Sequence, residues 1–106
     1  MRVYISGKIT GTTDYRERFE AAEGYLRGLG HEPVNPVWIG YMVKLSMPFE
    51  PQYETYMAID LAVLQECDAI YFLKGYEDSN GSRREHTKAA ALGLRVFYEG
   101  DNIPEE

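Results

Sequence analysis

The chain has 106 residues, enough for one modest core and too few for two domains, so it is read as a single domain over residues 1–106. Its net charge is −6 and no basic run exceeds the pair Arg83-Arg84, which argues against a nucleic-acid polymer as partner, because that binding depends on neutralising many phosphates. A lone cysteine, Cys67, rules out an intrachain disulfide and a cysteine-rich metal site, and no stretch approaches the roughly 20 apolar residues that span a bilayer.

Arg2–Ser6 carries Val3, Tyr4 and Ile5 and stops at Gly7, the pattern of a short buried strand. Lys8–Thr13 reads as loop, with Gly7 and Gly11 as breakers. Asp14 is the expected N-cap of a helix over Tyr15–Leu29, where Phe19, Ala22, Leu26 and Leu29 recur at helical spacing and Gly30 supplies a stop. His31–Val34 is a second strand, ended by Asn35-Pro36. In Val37–Pro51, Pro48 and Pro51 lie among Trp38, Tyr41, Met42, Leu45, Met47 and Phe49, and this segment is expected to be a long ordered loop with at most a helical turn. Gln52–Glu66 is helical, Asp68–Leu73 is the most strand-like run, Gly75–Gly81 is a polar loop, Ser82–Leu92 is an Ala-rich helix closed by Gly93, and Arg95–Tyr98 is a last strand.

Strands alternating with helices predict a parallel sheet with helices on its faces. Right-handed crossovers then place every strand-to-helix loop on one edge of the sheet, where ligands of such folds bind. That edge collects Gly7–Thr13, Asn35–Pro51 and Gly75–Gly81.

Two carboxylates break the local patterns. Asp60 falls on the apolar helical stripe of Met57, Leu61 and Leu64, where a charge is costly unless it is paired or useful; the alternative is a stripe displaced by one position, with Asp60 at its wet edge. Glu85 shares a stripe with Ala89 and Leu92. Ser82-Arg83-Arg84-Glu85 also fits a capping box, in which Glu85 would bond back to its own helix start. Asp78-Ser79-Asn80-Gly81-Ser82, just before a helix, offers backbone N–H groups and hydroxyls for an anion, or is an ordinary polar loop with an N-cap. Ser6-Gly7-Lys8-Ile9-Thr10-Gly11 lets backbone approach a ligand closely but has the spacing of neither a nucleoside-triphosphate loop nor a dinucleotide fingerprint. His31, His86 and Cys67 lie at no metal-ligand spacing and are read as structural, and Tyr4 is either core packing or a hydroxyl near the ligand edge.

Taken in order and spacing, Val3-Tyr4-Ile5-Ser6-Gly7 with Gly11, Gly30-His31-Glu32-Pro33-Val34-Asn35-Pro36, Asp60 followed by Cys67-Asp68-Ala69-Ile70, and Asp78 to Glu85 leading to Ala91-Leu92-Gly93 resemble the nucleoside 2-deoxyribosyltransferase superfamily, which includes the nucleoside 5′-monophosphate N-glycosidases. The resemblance covers almost the whole chain and implies a flavodoxin-like α/β fold: a parallel sheet of four to five strands with helices on both faces. It implies that Glu85 is a nucleophile forming a covalent glycosyl-enzyme, that Asp60 protonates or holds the leaving base, and that Tyr4 orients Glu85. Ser6, Gly7, Lys8 and Gly11 would form one wall of the substrate site, and Ser79, Asn80, Gly81 and Ser82 the other. Transferases of the superfamily usually carry an acidic residue where this chain has Ser79, whereas the monophosphate glycosidases carry a serine that contacts the 5′-phosphate. Ser79 therefore favours a nucleoside 5′-monophosphate, while Asp78 beside it keeps sugar transfer between bases open.

The expectation is thus N-glycosidic cleavage in the cytoplasm without metal or organic cofactor. A homodimer or higher homo-oligomer is expected, with Val37–Phe49 at or beside the interface, and no nucleic-acid polymer or membrane as partner. A nucleotide-binding or sensing module without turnover is the rival. It would be favoured by a pocket closed with Trp38 and Phe49 and by Glu85 capping its own helix.

Overall fold

A computed structural model describes residues 1–106. The elements in chain order are β1 (Arg2–Ser6), α1 (Tyr15–Gly28), β2 (Glu32–Val34), α2 (Pro36–Ser46), α3 (Tyr53–Leu64), β3 (Ala69–Phe72), α4 (Asn80–Leu92) and β4 (Arg95–Tyr98), with a 3₁₀ turn at Tyr76–Asp78. The four strands are all parallel in the order β2-β1-β3-β4, a flavodoxin-like sheet as expected, with no fifth strand. The order reverses between β1 and β3, so the crevice at the carboxyl end of β1 is where such a sheet receives a ligand.

The two-residue alternation of β1 builds both layers. Val3 and Ile5 pack with Ala69 and Tyr71 against Phe19, Ala22 and Leu26 of α1. Tyr4 packs on the other face with Ile70, Phe72, Leu64 of α3 and Ala89 of α4. In register Tyr4 lies beside Ile70 and Ser6 beside Phe72, so both polar residues of β1 share the α3/α4 face. Gly7 ends the strand where a Cβ would stand 2.9 Å from Leu73 Cδ1, so a larger residue would force the Leu73 side chain to shift. Gly93 closes α4 at φ +71, a left-handed cap that glycine adopts without strain.

Three expectations are corrected. Val37–Pro51 is not a long loop: Asn35 caps α2 by accepting from the Val37 N–H, and Pro36 occupies the first helical turn, where its missing N–H costs nothing. Helix α4 starts at Asn80, not Ser82, with Ser79 as the cap that accepts from the Ser82 N–H. Asp14 stands at the α1 start without a side-chain capping bond. No helix is long and apolar enough to cross a membrane.

Candidate active site

On α4 the inward residues are Ser82, Glu85 and Ala89, spaced as one helical face. That face meets β1, and Glu85 lands on the two polar residues there. The Tyr4 hydroxyl donates to Glu85 Oε2 at 2.5 Å, and the Ser6 hydroxyl donates to Oε1 at 2.7 Å. The Ser6 and Ser82 hydroxyls lie 2.9 Å apart. Ser6 has one proton, engaged by Glu85, so the Ser82 hydroxyl supplies the proton of that second contact. The capping box does not form. Glu85 reaches across to the sheet, and Ser79 caps the helix instead.

Burial pushes the Glu85 carboxyl above its ordinary range, while the Ser6 and Tyr4 hydrogen bonds pull it back by stabilising the charged form. Burial and then the neighbouring Glu85 charge hold the Tyr4 phenol well above its usual value, so it stays a proton donor. Asp60, half-buried on α3, is pushed up to about 7 by burial first and by the Glu85 charge second. Two carboxyls therefore stand in unlike environments. One has both oxygens held by donors; the other keeps its proton towards neutral pH.

Above them opens a cleft of about 1130 Å³. Asp60 and Glu85 line it together with Gly7 and Lys8 from the β1 loop and with Ser79, Asn80, Gly81 and Ser82 at the α4 start. A Cβ on Gly81 would come within 3.3 Å of Met57 Sδ and Tyr53 Oη, so glycine keeps this wall close to α3. The Asn80 and Gly81 N–H groups have no backbone partner, the usual condition of a helix start that can receive an anion. Tyr4 and Ser6 do not line the cleft; both are fully buried beneath Glu85. Gly11 also lies outside the lining, its φ of +82 serving the turn. Arg83 and Arg84 turn away, Arg83 to the Glu77 carbonyl and Arg84 to both carboxylate oxygens of Glu54. Trp38 lines the cleft and Phe49 does not.

Sequence reasoning missed Arg16, Lys44, Tyr53 and Tyr56, which also line the cleft. The signal for the tyrosines was available: Tyr53, Tyr56, Met57 and Asp60 form one stripe on α3. Asp60 sits where that stripe meets the buried one of Met57 and Leu64, which explains a carboxylate among apolar positions. Lys44 pairs with Glu50 at 3.8 Å, whereas Lys8 and Arg16 enter no ion pair. His31 is buried against the Pro104 carbonyl, and His86 stacks on Tyr76. No three His, Cys, Asp or Glu side chains converge as a metal site would require.

Solved structures share the fold, two of them enzymes of nucleoside or nucleotide chemistry by their descriptions. The 2-deoxyribosyltransferase of the psychrotolerant bacterium Bacillus psychrosaccharolyticus superposes with a TM-score of 0.70 at 21% identity, over 97% of this chain and 77% of that one. The CMP N-glycosidase BcmB of Clostridium botulinum superposes with a TM-score of 0.61 at 20% identity, over 96% and 73%. The resemblance to the nucleoside 2-deoxyribosyltransferase superfamily thus holds at the level of the fold. No curated protein matches the sequence. The family described as Domain of unknown function (DUF4406) matches residues 1–98, and the chain belongs to it.

Proposed function

We propose that this protein cleaves the N-glycosidic bond of a nucleoside 5′-monophosphate, with Glu85 as nucleophile, Asp60 as the acid and Tyr4 as the residue that orients Glu85. The observation that carries the reading is the buried Glu85 carboxylate, held by hydroxyls on both oxygens at the floor of a cleft that also holds the protonatable Asp60. A glutamate that capped its own helix would have suited a binding module; this one is aimed at the cleft floor instead.

In the first step Glu85 attacks the anomeric carbon as the carbon–nitrogen bond to the base breaks. The bonding pair leaves with the base, which takes the Asp60 proton. Water then attacks the same carbon, its proton passes to Asp60, and the carbon–oxygen bond to Glu85 breaks to restore the enzyme. Protonation of the leaving base supplies the activation, on the order of 10²–10⁴-fold. The 5′-phosphate would sit at the α4 start, on the Asn80 and Gly81 N–H groups and the Ser79 hydroxyl, whose proton is free because its oxygen accepts from Ser82. Lys8 and Arg16 add positive charge to the same cleft. Tyr53, Tyr56 and Trp38 offer aromatic surface for a base.

Asp78 also lines the cleft and favours a second reading, transfer of the sugar to another base, in which the acceptor replaces water in the second step. Self-association is part of the proposal. Trp38, Met42 and Leu45 on α2 are more than half exposed, and Tyr41 nearly so. Apolar surface of that extent on a helix that also lines the cleft suits burial against a second copy. The test of the reaction is a panel of nucleosides and their 5′-monophosphates, incubated with the protein and resolved for free base by chromatography. Release from monophosphates in preference to nucleosides supports the proposal; release only when a second base is present returns the transferase reading to first place.

A further inference from the structure

The family resemblance implies a place for Ser6 in the substrate wall, yet its side chain is fully buried, does not line the cleft and lies 2.7 Å from Glu85 Oε1. We propose that Ser6, oriented by Ser82, is a second positioning residue for Glu85, fixing the carboxylate oxygen that Tyr4 does not reach. This deepens the reading of Glu85 as nucleophile and rests on it for its kinetic consequence only.

One donor leaves a carboxylate free to rotate about its last side-chain torsion, which is broad and soft. Two donors on different oxygens fix its plane. Tyr4 and Ser6 supply them from one strand face, so the rigid sheet sets the orientation, and no mobile loop takes part. Ser6 must in turn be held, because a hydroxyl rotates freely about its own bond. Ser82, 1% exposed and one turn before Glu85 on α4, stands 2.9 Å from it and fixes the direction of its single proton. Ser82 is itself located by the Ser79 cap on its N–H. The arrangement therefore runs from the helix cap to the nucleophile through hydrogen bonds alone, and every buried polar side-chain atom in it is satisfied.

The consequence is measurable. The other titratable groups facing Glu85 are Tyr4 on β1 and Asp60 on α3; β3 presents Ile70 and Phe72 on this face, which carry no charge. Removing the Ser6 hydroxyl deletes a donor to the charged form and leaves these groups in place, so Glu85 should ionise at higher pH. The experiment follows the Glu85 carboxyl by carbon-13 NMR in the full chain without substrate, assigned by comparison with Glu85→Gln. Ser6→Ala should raise its titration midpoint by on the order of one pH unit. Ser82→Ala, which leaves Ser6 in place but unoriented, should raise it by less.

On a substrate, Ser6→Ala should lower kcat by about tenfold or more while KM changes less than threefold, and the acid limb of kcat/KM should move to higher pH. A Glu85 titration that overlays the parent's in Ser6→Ala overturns the proposal. So does a Ser82→Ala shift larger than that of Ser6→Ala, or an Ser6→Ala defect confined to KM. Should Ser6→Ala fail to fold, Ser82→Ala decides, with an unshifted midpoint as the contrary result. A parent that releases no base sinks the proposed reaction and leaves the titration to judge the hydroxyl pair by itself.

Discussion

Tyr4 donates to Glu85 Oε2 at 2.5 Å across 81 positions of sequence, joining the first strand to the last helix at the floor of the cleft. Burial and the Glu85 charge keep that phenol protonated, so its role is to donate, and a group that cannot donate should fail in a defined way. Tyr4→Phe removes one stabiliser of the Glu85 anion. Glu85 should then ionise at higher pH, and the acid limb of kcat/KM should move up with it. The rate at neutral pH should fall by about 10–100-fold, the usual worth of a hydrogen bond to a charged group. A pH–rate profile of the variant checks this; a limb that stays in place contradicts the orienting role.

Asp60 ties pH to stability as well as to rate. Its folded value of about 7 lies above the roughly 3.9 of an unfolded aspartate. Between those values the folded state binds the proton more tightly, so stability declines as pH rises through that window. Asp60→Asn has no such carboxyl to ionise. Relative to the parent it should gain little near pH 4 and up to about 4 kcal/mol near pH 8, less where the open cleft screens the charge. Urea unfolding at both pH values measures the gap, and one that does not widen with pH contradicts the assigned environment. The same variant should cleave about 10²-fold more slowly.

Ser79 has two separable jobs. Its oxygen accepts from the Ser82 N–H, so Ser79→Ala should cost about 1 kcal/mol of stability as a lost N-cap. In the proposed reaction its proton goes to the 5′-phosphate, whose binding energy would orient the sugar as well as hold it. The ratio of kcat/KM for a monophosphate to that for its nucleoside should therefore exceed one in the parent and shrink in Ser79→Ala. An unchanged ratio would leave Ser79 as a cap and nothing more.

The α2 face should bring two copies together. Light scattering at micromolar concentration is expected to give a dimer or a larger symmetric assembly, and Leu45→Glu, which places a charge on the most exposed large apolar side chain of α2, should shift it to monomer. A monomeric parent would leave that apolar face unexplained by self-association.

Strands and their order of appearance were legible because Val3-Tyr4-Ile5 and Ala69-Ile70-Tyr71-Phe72 are compact apolar runs that stop at turn residues. Helix α2 was not. Its apolar residues surround the axis with no polar face to mark a period, and its leading proline reads as a breaker although it stands at the position that tolerates one. At Glu85 the local pattern was ambiguous: Ser82 to Glu85 spells a capping box, and only the partners on β1 decide against it. Tyr4 and Ser6, two residues apart, were a sign that one strand face was polar at its end, but nothing local could show that both would meet the same carboxylate. The α3 tyrosines were not legible because the buried stripe of Met57, Leu61 and Leu64 dominates the apolar pattern, while the neighbouring stripe lines the cleft.

Whether Glu85 forms and releases the glycosyl bond is read from base release from a reactive nucleoside 5′-monophosphate by the parent and by Glu85→Gln. Glutamine keeps the size of the side chain and an oxygen to accept from a hydroxyl, so the variant should fold and still bind the nucleotide. The parent should liberate free base, and Glu85→Gln should lose at least about 10³-fold of that rate, the scale expected when an attacking group is removed. A Glu85→Gln protein that releases base at close to the parent's rate would contradict that role for Glu85.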